Sequence, residues 1–285
     1  MKYPRIAAKL YETPWLMYRP RYEEMCAGFE EVRRAAALRQ AADDPVGPKI
    51  RDWWTDEERM AHPQIEYSDG LALARVHGVT GKGLSKMEMQ CGGFDTGLFR
   101  EQLKNIAEDE RVKALVIDFN SPGGMAAGNA QASASIRQVA DAGKKVYGYT
   151  SGMCCSAAYW MASACDELHA EGDAIVGSIS TIFAGVDSSK AWEKEGYELK
   201  VFATGKFKAT GMSGKEWTKE EEDYIWERIR KIDAEFKGFV SSRRGIPKEE
   251  MEGQWWYARH APEKLVNSTK FESLEAFLEV VMASL

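Results

Sequence analysis

Val112-Lys113-Ala114-Leu115-Val116-Ile117-Asp118-Phe119-Asn120-Ser121-Pro122-Gly123-Gly124 decides the fold. Its first eight residues are mostly apolar, with no polar alternation. Such a run reads as a strand buried on both faces of a parallel sheet. Ser-Pro-Gly-Gly then turns the chain. On the N-terminal side, Leu71-Ala72-Leu73-Ala74-Arg75-Val76 alternates like a strand. Leu98, Phe99, Leu103 and Ile106 mark a helix, with Asp95 or Thr96 as a candidate cap. On the C-terminal side, a helix of small residues runs to Ala142 and is closed by Gly143. Lys145-Val146-Tyr147-Gly148-Tyr149 is the next strand. Further strands are expected at 167–170, 181–186 and 199–203, with a helix near 188–196. Thr218 and Glu221 have capping-box spacing. They open a long helix along Ile225, Ile229, Ile232, Phe236 and Val240 that ends near Gly245. Leu274, Phe277, Leu278, Val281 and Met282 form a last amphipathic helix. Strands alternating with helices make an α/β protein with a parallel sheet and right-handed crossovers. Catalytic groups in such sheets gather at the carboxyl ends of the strands.

Two segments fall at those ends. One is the Gly123-Gly124 turn. The other is Ser151-Gly152-Met153-Cys154-Cys155-Ser156-Ala157-Ala158-Tyr159-Trp160, a small-residue corner running into an apolar helix. Ser156 reads either as an exposed nucleophile or as a plain helix N-cap. In the first reading, the backbone N–H groups of Gly123, Gly124 and Ala157 are the donors an oxyanion needs. A serine nucleophile also needs a base. His62, His77, His169 and His260 lie in no glycine-rich or polar cluster, and each reads as a packing or surface histidine. Lysine serves instead when burial lowers its pKa. Lys206 and Lys208 flank Phe207 between Gly205 and Gly211. An isolated lysine is ordinarily a solvated side chain, so context has to select one.

Composition narrows the rest. Thirty-eight basic against 44 acidic residues give a net charge of −6, and no basic stripe is present. A nucleic-acid binder is disfavoured. Five cysteines without paired spacing do not make a disulfide framework, so a reducing compartment is expected. No His/Cys/Asp cluster has metal-ligand spacing, and neither metal nor cofactor is implied. The first residues lack the apolar core of a signal peptide. No stretch reaches the roughly 18 uninterrupted apolar residues of a membrane span. The expectation is a chain with no membrane anchor, located in the cytoplasm. Residues 1–68 read as a separate helical appendage, with an amphipathic helix over 20–42 and Trp53-Trp54 as a docking contact. Residues 69–285 form the main domain.

The ordered motifs together resemble the signal peptide peptidase A family of serine proteases, which share the Clp/crotonase fold. The motifs are 112–120 followed by Ser-Pro-Gly-Gly; Cys155-Ser156-Ala157-Ala158-Tyr159-Trp160-Met161-Ala162; Val176-Gly177-Ser178-Ile179; and Gly205-Lys206-Phe207-Lys208-Ala209-Thr210-Gly211. The resemblance covers residues from about 70 to 267. It implies a Clp/crotonase-like parallel sheet with flanking helices. It also places the family's nucleophile on Ser156 and its general-base lysine on Lys208, with Ser178 orienting the lysine. The oxyanion donors then fall on Gly123, Gly124 and Ala157. Clp peptidases instead use a histidine about 25 residues after the serine; here that stretch is Gly177-Ser178-Ile179-Ser180-Thr181-Ile182, with no histidine. Ser180 departs from the family's final glycine in Gly-Ser-Ile-Gly. Cys154-Cys155 replaces the usual Ala-Ala. The late Gly-Leu-Val-Asp is only echoed by Glu263-Lys264-Leu265-Val266-Asn267.

Pro14-Trp15 followed by a helix is similar to the phage branch of that family, the head-maturation proteases. This implies a protein or peptide substrate, with scaffold and capsid proteins suspected, and location in the host cytoplasm or the prohead. The family builds rings, and some members complete each site with a neighbour's residues, so a homo-oligomer is expected. The competing readings are a soluble peptidase acting on signal peptides or other small peptides, a non-catalytic capsid-assembly scaffold, and a crotonase-type acyl-CoA enzyme. The last would leave the Lys208 motif unexplained.

Overall fold

The computed structural model describes residues 15–17, 27 and 65–285. The helix expected over 20–42, Trp53-Trp54 and His62 lie outside the described residues.

In chain order the strands are β1 (Trp15–Met17), β2 (Ile65–Ser68), β3 (Leu71–His77), β4 (Val79–Gly81), β5 (Gly93–Asp95), β6 (Ala114–Asn120), β7 (Gly123–Met125), β8 (Lys145–Thr150), β9 (Met153–Cys155), β10 (Glu167–Ala170), β11 (Ile175–Gly177) and β12 (Trp255–Tyr257). The helices are α1 (Lys86–Gln90), α2 (Thr96–Glu108), α3 (Asn129–Asp141), α4 (Ala157–Ala162), α5 (Ser189–Lys194), α6 (Lys219–Arg244) and α7 (Leu274–Ala283).

The central sheet has the order β10-β8-β6-β3-β2. Its first four strands are parallel, and β2 closes the edge antiparallel to β3. The sheet thus reaches into the stretch assigned from sequence to the appendage. The expected α/β architecture, a parallel sheet with flanking helices, is what the chain adopts. The apolar run of β6 is continuous because both its faces are covered. Leu115, Ile117 and Phe119 pack with Ala72, Ala74 and Val76 of β3 into the main core, with Phe99 and Leu103 of α2 and Ile136 and Val139 of α3. Ala114 and Val116 face the other way, with Leu71 and Leu73, onto Phe277 and Val281 of α7.

Two small sheets sit at the carboxyl ends of the central strands. One has the order β1-β7-β4-β5 and the other β12-β11-β9. The first is possible because Gly124 has no side chain. A Cβ there would lie 2.0 Å from the Thr80 carbonyl oxygen of β4. On the other edge of β7, Trp15–Met17 pairs antiparallel, with Leu16 opposite Gly124 and Met17 opposite Gly123.

α6 forms as its sequence dictates. The Thr218 hydroxyl and the Glu221 carboxylate close both bonds of a capping box. Gly245 ends the helix at φ 66°, the left-handed conformation glycine tolerates. Its buried stripe, Ile229, Phe236 and Val240, faces the core. Phe236 stacks on Trp160 of α4 with centroids 4.8 Å apart and planes 10° from parallel.

Residues 181–186 and 199–203, expected as strands, form no strand of their own among the described residues. They carry strand-like residue types, but Val186, Val201 and Phe202 are exposed, Phe202 to 96%. β-Propensity reports fit to a half-buried pleated surface, and no strand among the described residues pairs with these segments.

Phe236 is fully buried and joins α6 to the helix that begins at Ser156. Phe236→Ala should therefore cost about 3–5 kcal/mol, read as a fall in the urea midpoint, and Phe236→Leu clearly less.

Candidate active site

Ser156 occupies the corner between β9 and α4. Its backbone has φ 53° and ψ −115°. That conformation is unfavourable for a residue with a Cβ, and such residues collect at functional sites. It persists because the surroundings hold it. Ser121 clamps β9 from one side: its N–H donates to the Met153 carbonyl at 2.7 Å, and its carbonyl accepts from Cys155 N–H at 3.2 Å. From the other side β11 pairs in parallel, with Gly177 opposite Cys155. Ser156 N–H then donates to the Gly177 carbonyl at 2.8 Å, and the Ser156 carbonyl accepts from Trp160 N–H at 2.9 Å.

The side chain does none of this. Ser156 makes no side-chain capping bond to α4. Its Oγ is buried and has no hydrogen-bond partner among the described residues. An N-cap serine earns its place by accepting from the first turn of its helix, so the capping reading fails. The thiols beside it are not competing nucleophiles. Burial pushes both Cys154 and Cys155 well above the ordinary thiol range, and a protonated thiol is a poor nucleophile.

Ser178 repeats the pattern one strand over. It has φ 54°, just after Gly177 at φ 106°. A Cβ on Gly177 would meet the Trp256 ring at 2.9 Å. Ser178 N–H donates to the Gln254 carbonyl at 2.7 Å. The Ser156 corner and the Ser178 turn are thus adjacent, joined through Gly177.

The Gly123-Gly124 segment is a short strand rather than an open turn. Gly123 N–H is directed at Ser121 Oγ, 3.2 Å away. Ala157 is the first residue of α4, so its N–H is one of the donors left unpaired at a helix start.

The structure does not bring Lys208 to Ser156. Lys208 is exposed, and Ser156 Oγ lacks any hydrogen-bond partner. It does separate the two lysines that the sequence left level. The Lys206 ammonium pairs with Glu220 and lies 5.5 Å from the centre of the Phe207 ring. Among the described residues, the Lys208 ammonium has no ion pair or hydrogen bond. The described histidines are engaged elsewhere. His77 Nε2 meets Asp118 Oδ2 at 2.8 Å. His169 Nε2 meets Glu167 Oε2 at 3.0 Å, its ring packed against Phe271 and Phe277. His260 ends a short helical turn.

Sequence reasoning missed Glu221 beyond its capping role. Its carboxylate is buried at the start of α6 and accepts from Thr210 Oγ1 at 3.1 Å, from Lys215 Nζ, and from Thr218. Thr210 lies two residues past Lys208, and Ala209 between them is buried. Glu221 therefore docks the loop that carries Lys208. No spacing rule would have shown a contact made at the helix start by a loop residue eleven positions upstream.

Among the described residues no group of three or more His, Cys, Asp or Glu is placed to hold a metal. No helix among them is long and apolar enough to cross a membrane.

Residues 138–274 match the profile of Peptidase family S49. They include Ser156, Ser178 and Lys208. The chain is similar to a putative protease from Methanocaldococcus jannaschii, 27% identical over 53% of this chain and 49% of the relative. It is also similar to the chloroplastic serine protease SPPA of Arabidopsis thaliana, at 26% over 81% and 37%. Capsid assembly protease C of Escherichia phage lambda is 26% identical over 73% and 48%. The chain spans half or less of the length of each. Among solved structures, an enoyl-CoA hydratase from Shewanella pealeana superposes with a TM-score of 0.46 at 12% identity, over 81% of this chain and 77% of that one. A ClpP1 variant from Listeria monocytogenes gives 0.44 at 12%, over 72% and 93%.

Burial alone would raise the Glu221 pKa, but the bonds from Lys215, Thr218 and Thr210 outweigh it and hold the carboxyl at about 2. A carboxyl whose pKa is lower folded than unfolded stabilises above its ordinary value of 4.5 and loses that stabilisation as pH falls toward 2. Glu221→Gln should thus destabilise at pH 7, by on the order of 1–3 kcal/mol. The gap from the parent protein in thermal or urea unfolding should close as pH falls through that window.

The strained serine corner, the adjoining Ser178 turn and the glycine-flanked lysine loop all lie within residues 138–274, the stretch that matches Peptidase family S49.

Proposed function

We propose that this chain is a serine endopeptidase that uses Ser156 as nucleophile and Lys208 as general base. The observation that carries the reading is Ser156 itself, a serine held at an unfavourable φ with a free, buried hydroxyl. A fold maintaining a non-catalytic scaffold has no use for such strain, which argues against that alternative.

The chemistry follows from the residues. Neutral Lys208 takes the Ser156 proton as Oγ bonds to the scissile carbonyl carbon. The carbonyl oxygen becomes an oxyanion, held by Ala157 N–H and the Gly123-Gly124 backbone. The C–N bond breaks, and the leaving amine takes the proton from Lys208. Water then attacks the acyl ester, with Lys208 again as base, and Ser156 regains its proton. Ser178 orients the lysine.

The dyad is not closed within one copy, and the reading therefore includes a homo-oligomer. Lys208 is exposed, and so are the apolar side chains of Phe202, Phe207, Met212 and Trp226. Exposed apolar surface of this kind marks a contact. Burial at that contact is also what favours a neutral lysine over an ammonium.

The similarity to capsid assembly protease C of phage lambda supports scaffold and capsid proteins as substrates, cleaved in the prohead or host cytoplasm. A second reading, cleavage of signal peptides or other small peptides, has its own support. A putative signal peptide peptidase SppA of Enterococcus faecium is 26% identical over 52% of this chain and 43% of its own length.

Ser156→Ala should lower turnover of a casein-like substrate by more than about a thousandfold while the circular dichroism spectrum stays unchanged. Lys208→Arg should be as damaging as Lys208→Ala, because guanidinium does not give up its proton, whereas Lys206→Arg should be tolerated. A fluorophosphonate probe should label Ser156. Turnover retained in Ser156→Ala, or a dead Lys206→Arg beside an active Lys208→Arg, would overturn the assignment. Mixing the inactive Ser156→Ala and Lys208→Ala proteins should restore part of the activity, and light scattering should show an oligomer.

A further inference from the structure

Between Ser178 and α6 lies a part-buried polar cluster that the reaction above does not use. Ser180 Oγ donates to Asp233 Oδ1 at 3.2 Å. Thr181 N–H donates to the same oxygen at 3.1 Å. The other oxygen, Oδ2, is 3.0 Å from Lys237 Nζ, one turn further along α6. Lys237 also reaches Glu252 Oε1 at 3.3 Å, and its side chain is only 14% exposed. Glu252 lies two residues before Gln254, whose carbonyl holds Ser178 N–H.

We propose that Asp233 is a positioning residue, which fixes the Ser178 turn against α6 and so sets where Ser178 presents its hydroxyl to the base. The inference rests on the reading of Ser178 as the group that orients the lysine.

The argument is one of constraint. Ser178 is held at a positive φ, which costs energy unless both flanks are pinned. The upstream flank is pinned by β11 and by the Ser178 bond to Gln254. Downstream the backbone leaves the sheet, and Ser180 N–H reaches only back to the Ser178 carbonyl, at 3.2 Å. The Asp233 carboxylate supplies the second anchor, two bonds to one oxygen. Ser180 stands where the family pattern has glycine, so the hydroxyl half of this anchor belongs to this chain. Lys237 bridges the Asp233 anchor to the loop that provides the Gln254 anchor, so both attachments move as one body. Burial disfavours its charge, but Asp233 and Glu252 outweigh that and hold it cationic. It is accordingly a tether and not a second base.

The test uses the full chain with kcat, KM and the pH profile of kcat/KM on one peptide substrate. Asp233→Ala should lower kcat by about 10- to 100-fold with KM within about twofold, the size expected when a reacting geometry slips by about an ångström. It should also shift the pH at which activity rises. Asp233→Asn keeps an oxygen at Oδ1 and should recover most of kcat and the parent pH profile. Ser180→Ala, which removes one of the two bonds, should fall between. Parent kcat and pH profile in Asp233→Ala would overturn the proposal, as would Asp233→Asn being as impaired as Asp233→Ala. If Asp233→Ala does not fold, Ser180→Ala decides: parent kinetics there overturn it. Ser156→Ala run in parallel separates the two readings. An active Ser156→Ala defeats the Ser–Lys assignment itself, whereas an inactive one beside an unaffected Asp233→Ala defeats only the role given to Asp233.

Discussion

One hydrogen bond organises this molecule: Ser156 N–H to the Gly177 carbonyl, 2.8 Å. It ties the corner after β9 to the end of β11 at the two points where the backbone is least comfortable, Ser156 at φ 53° and Gly177-Ser178 at φ 106° and 54°. Positive φ at a serine costs on the order of 1–3 kcal/mol. The cost is borne because β9 is gripped from both sides, by Ser121 and by β11, and because α4 begins at once beyond it and is buried along all six residues. Burial of Trp160 and its stack on Phe236 make the helix immovable, and an immovable helix fixes the corner before it. The core thus acts on the site through one peptide unit.

α6 is the second organiser. Its apolar stripe belongs to the core, but its polar residues reach the loops of the site at two heights. Glu221 holds the loop bearing Lys208 through Thr210, and Asp233 holds the Ser178 turn through Ser180 and Thr181. Twelve residues of helix separate the two, about 18 Å along the axis. One rigid element thereby sets both attachments. Each carboxylate is neutralised locally by a lysine, Lys215 or Lys237. The Lys208 ammonium, by contrast, has no carboxylate partner among the described residues.

Much of this was legible in the chain. The alternation β3, α2, β6, α3, β8 was readable because β3 and β6 are buried on both faces and both helices on one, so burial writes its period into the sequence; the short β4, α1, β5 and β7 between them were not. The capping box at Thr218 and the glycine closing α6 were local signals with local causes. What could not be read was made by long-range contact. β9, β11 and β12 are three-residue strands, too short to carry a period, and they exist because Ser121 pairs with one edge of β9, Gly177 with the other, and Trp255 with Gly177. The Gly123-Gly124 segment looked like an open turn, but β4 lies against it closely enough to exclude a Cβ. The choice between nucleophile and N-cap at Ser156 needed a torsion angle and an unused oxygen, neither of which a sequence contains.

The strands wrongly expected over 181–186 and 199–203 follow from the same physics. Val, Ile, Thr, Phe and Tyr raise β-propensity because they pack well on a pleated surface. No strand among the described residues pairs with these segments, and Val186, Tyr197, Val201 and Phe202 are exposed. The segment runs from just beyond Ser178 to the lysine loop. A stretch that spends apolar side chains on solvent between two parts of one site is poorly explained by the isolated chain. It is well explained if the surface those residues fit is supplied by another copy, the contact proposed above to complete the Ser156–Lys208 pair.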